Sequence, residues 1–171
     1  AAAATILRSA KKPVLIAGGG VHYSGATADL ADFAEQHALP VVETIAGRAS
    51  LTTDHPANAG PLGIVGSKSA NNVAKEADVV VAVGTRLQDF TTGSWSVFGN
   101  PDMRLVSINV GRFDATKHHA SSVVGDAKAS LAELSERLAG WRAPDRWLSQ
   151  AADWYGQWNR VVDAAVEPTD A

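Results

Sequence analysis

The sequence of 171 residues contains no cysteine, which excludes a disulfide framework, a thiolate metal site and a cysteine nucleophile and favours a cytoplasmic protein. It also lacks an excess of positive charge, because 15 basic and 18 acidic residues give a net charge of −3. We therefore expect no nucleic-acid partner. No apolar run approaches the roughly 20 residues that span a bilayer, so we expect no membrane association. The composition is typical of one globular domain.

Short apolar runs alternate along the chain with amphipathic segments. The runs consist of Val, Ile and Leu without polar alternation, as in strands that are buried on both faces. Helices between such strands imply parallel crossovers, so we predict an α/β fold: a doubly wound, mostly parallel, Rossmann-like sheet flanked by helices, of the kind that binds NAD or FAD. The predicted strands cover residues 13–20, 39–44, 78–83, 104–110 and 121–126, and the predicted helices cover 25–37, 67–77 and 127–138. Residues 45–66 are predicted to form a long loop region with short helical turns.

A run of glycines, Gly18, Gly19 and Gly20, ends the first predicted strand in "GGGVHYSG". Gly18 and Gly20 match the first two positions of the dinucleotide-binding pattern G-x-G-x-x-G, but Tyr23 occupies the third. Glycines here would let backbone N–H groups approach a phosphate, and Glu43 lies near the expected position of a ribose-binding acid. Alternatively, the glycines only form a tight turn between strand and helix.

The third predicted strand ends at Gly84, Thr85 and Arg86 and leads into an aromatic-rich loop. A guanidinium group can bind a diphosphate with two hydrogen bonds. Alternatively, Arg86 has a structural role: it anchors the long loop or forms an ion pair with Asp89. Because parallel strands end at one edge of the sheet, we expect the residues that follow the strands to lie together there: Gly18, Gly19, Gly20, Thr44, Gly84, Thr85, Arg86 and Asn109.

Catalytic and metal-binding patterns are not found. The adjacent His118 and His119 would point apart, and His22 and His55 lie in predicted loops, so these side chains are interpreted as surface histidines. Neither a G-x-S-x-G elbow nor a P-loop occurs. We predict no catalytic residue and no metal ligand in this chain.

Several segments occur together in the order and spacing of one family: "AKKPVLIAGGGV", "LPVVET", "GRASLTTDHPANAGPLGIVG", "ADVVVAVGTRL", "LVSINV" and "VVGDAKASL". Residues 4–139 thereby resemble the central domain of thiamin-diphosphate-dependent enzymes, such as acetohydroxyacid synthase, pyruvate oxidase and benzoylformate decarboxylase. The loop of residues 84–98 is most similar to that of the family's hydrolases that open a cyclic 1,2-dione in myo-inositol catabolism. The alternatives are an acetohydroxyacid-synthase-like parent and a stand-alone NAD- or FAD-binding module.

The resemblance implies a non-catalytic domain, residues 1–140, whose partners are flanking domains of the same chain in a homo-oligomer. Those domains would hold thiamin diphosphate and Mg²⁺, the latter through a GDG…N motif, whereas here Gly125 and Asp126 are followed by Ala127. No cofactor is expected to bind firmly to this chain. Some relatives bind FAD or an adenine nucleotide at the positions that here carry Gly18, Gly19, Gly20, Thr85, Arg86 and Asn109. FAD-binding relatives tend to have Asp-Ile-Asp where this chain has "NVG", which speaks against FAD.

Residues 141–171 are rich in tryptophan, and Trp147, Trp154 and Trp158 fall near one face of a predicted helix. This face could pack on the preceding domain or on a domain or subunit outside this chain. We favour the second interpretation, a linker helix that leads toward a missing C-terminal domain.

Overall fold

Residues 1–166, which the computed structural model describes, form a six-stranded sheet in which all strands are parallel. The strand order is β3-β2-β1-β4-β5-β6, so the direction of winding reverses between β1 and β4. The strands are β1 Pro13–Ala17, β2 Val41–Glu43, β3 Asn58–Pro61, β4 Val79–Val83, β5 Arg104–Asn109 and β6 Ser121–Val124.

Helices cover both faces of the sheet. Helices α1, α3 and α7 enclose one apolar core, and α4 and α8 enclose the other. The predicted doubly wound α/β fold is therefore confirmed. The helices are α1 Ala2–Arg8, α2 Gly19–Tyr23, α3 Thr27–His37, α4 Lys68–Glu76, α5 Asp89–Thr92, α6 Arg112–Thr116, α7 Ala127–Arg137 and α8 Asp145–Val166.

The two central strands, β1 and β4, are buried along their whole length. Successive side chains of β4 alternate between the two cores: Val79 and Val81 enter one, and Val80 and Ala82 enter the other. Both faces of these strands must therefore be apolar, which explains the uninterrupted apolar runs in the sequence.

Side-chain caps begin two of the helices. The Ser67 hydroxyl accepts a hydrogen bond from the Ala70 amide at 3.1 Å and forms the N-cap of α4. The Asp126 carboxylate accepts one from the Ala129 amide at 3.1 Å and begins α7 in the same way. These oxygens satisfy amides that have no partner within the helix.

The prediction of a loop region at residues 45–66 is wrong for Asn58–Pro61, which form β3. The short 3₁₀ turn at Ile45–Gly47 agrees with the helical turns predicted there. The sequence of β3 is Asn-Ala-Gly-Pro, which has little strand propensity. The strand forms through backbone pairing with β2, and α8 covers it: a Cβ at Gly60 would lie 3.1 Å from Tyr155 Cε2.

The expectation that the tryptophan stripe docks outside this domain is wrong for Trp147. Its indole is 4% exposed in the core beneath α4, and its Nε1 donates a hydrogen bond of 2.8 Å to the Pro13 carbonyl. Trp154 packs edge-to-face on it, with ring centroids 6.1 Å apart, whereas Trp158 is half-buried. The first half of α8 thus belongs to this domain, and residues 167–171 of the predicted linker lie outside the described residues.

His37 joins α3 to the segment before α8. Its ring is buried beside Phe33, and its Nδ1 donates to the Trp141 carbonyl oxygen at 2.8 Å. Burial lowers the pKa of His37 from its ordinary value of 6.5, the hydrogen bond to Trp141 opposes this, and the charge of Arg142 adds to the lowering. The folded domain therefore favours the neutral ring.

We expect this histidine to make the domain less stable at mildly acidic pH. Below about pH 6.5 the unfolded chain binds a proton at His37 more readily than the folded chain, so the free energy of unfolding falls. Melting temperatures measured across about pH 5.5–7.5 should decline less steeply in His37→Gln than in the wild type. If melting temperature changes with pH equally steeply in the two proteins, His37 does not contribute to the pH dependence of stability.

Candidate functional site

A cleft of about 640 Å³ opens at the carboxyl edge of the sheet, above the ends of β1, β2, β4 and β5. It contains seven of the eight residues that were predicted to lie at this edge, so their predicted clustering is confirmed; Gly18 is not among the lining residues. The cleft is lined by Gly19, Gly20, Tyr23, Thr44, Ile45, Ala46, Gly84, Thr85, Arg86, Gln88, Phe90, Thr91, Asn109 and Asp114.

The glycine-rich turn packs directly on the end of β4. The Gly18 amide donates to the Val83 carbonyl at 2.8 Å, and the Gly20 amide donates to the Gly84 carbonyl at 2.9 Å. A Cβ at Gly20 would lie 2.6 Å from Gly84 Cα, a separation that only glycine permits. Two of the amides expected to approach a phosphate are thus already hydrogen-bonded, which favours the alternative of a tight turn.

Thr85 and Asn109 connect the ends of β4 and β5. Asn109 Nδ2 donates to the Thr85 carbonyl at 3.1 Å, and Asn109 Oδ1 accepts from the Gly111 amide at 2.9 Å. The Thr85 hydroxyl accepts from the Leu87 amide at 3.2 Å. These contacts fix the loops around the cleft and leave the Thr85 hydroxyl proton available to a ligand.

Arg86 is exposed at the cleft. Within the described part of the chain its guanidinium forms neither a hydrogen bond nor an ion pair, so the expected pair with Asp89 is not present. This cation is therefore free to bind an anion that enters the cleft.

Glu43 is buried at the end of β2 and holds the loop that follows. Its Oε1 accepts a hydrogen bond from the Leu51 amide at 3.0 Å, and its Oε2 lies 3.9 Å from Arg48 Nε. Only 3% of the residue is exposed, so its carboxylate serves the loop and is closed to a ribose. The spacing in the sequence predicts the position of Glu43 but not its contacts with Leu51 and Arg48.

The aromatic-rich loop after Arg86 packs against the turn at Lys117–His119. The Trp95 and His118 rings lie 4.2 Å apart, and both residues have positive φ angles of 72° and 58°. Burial and neighbouring positive charge on Lys117 lower the pKa of His118. This contact could not be predicted from the sequence, because the two loops are far apart along the chain and carry no shared motif.

Neither a metal centre nor a membrane span is found in residues 1–166. No three His, Asp or Glu side chains there form a group able to hold a metal ion. None of the helices in this part of the chain is both long and apolar enough to cross a membrane. The candidate site is therefore the cleft, with Arg86 as its available charged group.

Residues 1–134 match the family model for the central domain of thiamine pyrophosphate enzymes. The chain belongs to this family. The match runs from α1 into α7 and includes every strand of the sheet. The family resemblance stated from the sequence is thus confirmed.

Curated relatives of this central domain include proteins named 3D-(3,5/4)-trihydroxycyclohexane-1,2-dione hydrolase. The protein from Clostridium perfringens is 45% identical over 133 residues, which are 78% of this chain and 21% of that protein. The protein from Listeria monocytogenes is 42% identical over 161 residues, which are 93% of this chain and 25% of that protein. The protein from Geobacillus thermodenitrificans is 41% identical over 162 residues, which are 94% of this chain and 25% of that protein. The chain thus spans about a fifth to a quarter of these relatives, and the longer alignments extend into α8.

Proposed function

We propose that this chain is the non-catalytic central domain of a longer, cytoplasmic, homo-oligomeric thiamin-diphosphate-dependent hydrolase. The parent protein would cleave a carbon–carbon bond of a cyclic 1,2-dione in myo-inositol catabolism. One observation carries this proposal: relatives that bear the name of that dione hydrolase are 41–45% identical to the chain over 78–94% of its length.

The thiamin cofactor supplies an electron sink for the carbanion that such a cleavage produces. Residues 1–166 do not fit Mg²⁺ and the cofactor's diphosphate. Asp126, the only acid of the "GDA" segment, caps α7 by accepting from the Ala129 amide, and residues 1–166 contain no cluster of metal ligands. The groups that hold the cofactor would therefore lie in the flanking domains, while this domain sets their separation.

The isolated chain should not bind the cofactor. Titration calorimetry with thiamin diphosphate and Mg²⁺ is expected to give no saturable heat, because residues 1–166 offer no cluster of metal ligands for a Mg²⁺ that would bind the diphosphate. The longer protein encoded by the same gene should hydrolyse 3D-(3,5/4)-trihydroxycyclohexane-1,2-dione only when thiamin diphosphate and Mg²⁺ are both added. Micromolar binding to the isolated chain, or acetohydroxyacid synthesis by the longer protein in place of hydrolysis, would contradict the proposal.

A second candidate function is binding of an adenine nucleotide in the cleft, and the unpaired Arg86 favours it. The ligand would contact Arg86 and the Thr85 hydroxyl, with Gly19, Gly20 and Asn109 in the adjoining wall. If the cleft binds ADP, Arg86→Ala should weaken binding by about tenfold or more. Arg146→Ala is the matched control, since Arg146 is exposed on α8. Absence of saturable ADP binding to the wild type would exclude this function.

A further inference from the structure

Exposed apolar side chains are concentrated at the carboxyl edge of the sheet. Of the eleven large apolar side chains exposed in residues 1–166, eight follow or end a strand at this edge, and the other three lie on α8. Tyr23 and Phe113, at 95% and 76%, are the most exposed. We call these eight residues the carboxyl-edge surface: Tyr23, Ile45, Ile64, Val65, Phe90, Val110, Phe113 and Val124.

Their distribution is not that of scattered surface residues. Single exposed apolar side chains are common on folded proteins, but here each of the six strands contributes at least one to the same edge. The loops that follow β3 and β4 also contact each other, since the Ile64 amide donates to the Phe90 carbonyl at 3.0 Å. The carboxyl-edge surface therefore has the apolar composition that marks interaction surfaces.

Helix α8 runs toward this same edge. Trp147 contacts Pro13 at the start of β1, whereas Tyr155 lies against Gly60 near the end of β3. The helix continues to Val166, eleven residues beyond Tyr155, which is about 16 Å at the helical rise. Its last turns therefore extend past the carboxyl edge, where Val161 and Val166 are 60% and 72% exposed.

We propose that the carboxyl-edge surface and the end of α8 form one interface, which the segment that follows α8 in the longer protein covers. This inference rests on the proposed function. The curated relatives are four to five times longer than their matched region, so a large segment is available outside this chain. Because α8 ends beyond this edge at Val166, a segment attached to the helix would be held beside the surface at high effective concentration.

The absence of cysteine from the chain permits a direct test. Single cysteines replace exposed residues of the surface, Tyr23→Cys and Phe113→Cys, and the matched control is Asp102→Cys, which is exposed in the turn before β5 at the opposite edge. The rate of alkylation by a maleimide is measured by peptide mass spectrometry in the 171-residue chain and in the longer protein. Circular dichroism of each variant checks its fold.

The alkylation rates of Tyr23→Cys and Phe113→Cys should be lower by about tenfold or more in the longer protein than in the 171-residue chain, because the reaction then requires the interface to open. The rate of Asp102→Cys should differ by less than about twofold between the two proteins. Equal rates in a catalytically active longer protein would overturn the inference and leave the proposed function intact. Slow labelling of the 171-residue chain that accelerates on dilution would also overturn it, because a second copy would then cover the surface. Protection without thiamin-dependent hydrolysis would support the interface and refute the proposed function.

Discussion

Replacing Trp147 with alanine should lower the free energy of unfolding by about 3–5 kcal/mol. The change leaves a cavity in the core between the sheet and α4, where the indole is 4% exposed. It also removes the hydrogen bond from Nε1 to the Pro13 carbonyl, whose oxygen stays in a buried strand. The edge-to-face packing of Trp154 is lost as well.

Trp158→Ala is the matched control, because it makes the same chemical change in the same helix at a half-buried position. We expect it to cost about 1 kcal/mol. For a domain of this size the difference corresponds to about 10 °C in melting temperature, measurable by circular dichroism on a monomeric sample. Truncation after Gly140 should be at least as damaging as Trp147→Ala. If the Trp147→Ala and Trp158→Ala variants lose equally small amounts of unfolding free energy, α8 does not stabilise this domain.

The sequence predicted the central strands and missed β3 for one physical reason. A strand buried on both faces must be apolar throughout, so β1 and β4 are visible as runs of Val, Ile and Ala. The edge strand β3 owes its conformation to pairing with β2 and to the helix that covers it, and its own residues carry no such pattern. Likewise, the tryptophan stripe of α8 showed which face is apolar but not which surface it covers.

The location of the candidate site was predictable, but the state of its groups was not. Parallel strands place their carboxyl ends at one edge, which is enough to bring Gly20, Arg86 and Asn109 to one cleft. Whether each polar group is free depends on contacts with loop residues that the local sequence pattern does not specify. Asn109 is engaged by Thr85, 24 residues away, and Glu43 by Leu51, whereas Arg86 has no partner in residues 1–166.

Gly84→Ala should be among the most destabilising single substitutions in the chain, with an expected loss of about 3 kcal/mol or more. Gly84 has a φ angle of 60°, in the region that favours glycine. A Cβ there would also lie 2.5 Å from Gly20 Cα, and backbone cannot move aside as a flexible side chain can. The substitution therefore combines backbone strain with a steric clash at the point where β1 and β4 meet.

Two other glycines separate these contributions. Gly140 has a φ angle of 73° and open space where a Cβ would lie, so Gly140→Ala should cost only the strain of about 1 kcal/mol. Gly18 has a φ angle of −106°, which any residue adopts, but its Cβ would lie 2.5 Å from Thr85 Cβ and clash with the Gly84 carbonyl. The loss of unfolding free energy in Gly18→Ala should therefore come from the steric clash alone, without backbone strain.

Urea denaturation should show the largest loss of unfolding free energy in Gly84→Ala, a smaller one in Gly18→Ala and the smallest in Gly140→Ala. The slope of the unfolding free energy against urea concentration should be the same in all three variants, because the substitutions leave the unfolded state unaffected. Similar losses for Gly84→Ala and Gly140→Ala would mean that only the φ angle of Gly84 matters and that the turn can separate from β4 at little cost. The expected order would instead establish that close contact between the two backbones requires glycine. It would also explain why the glycines that resemble a phosphate-binding pattern occur in a turn whose Gly18 and Gly20 amides donate to β4.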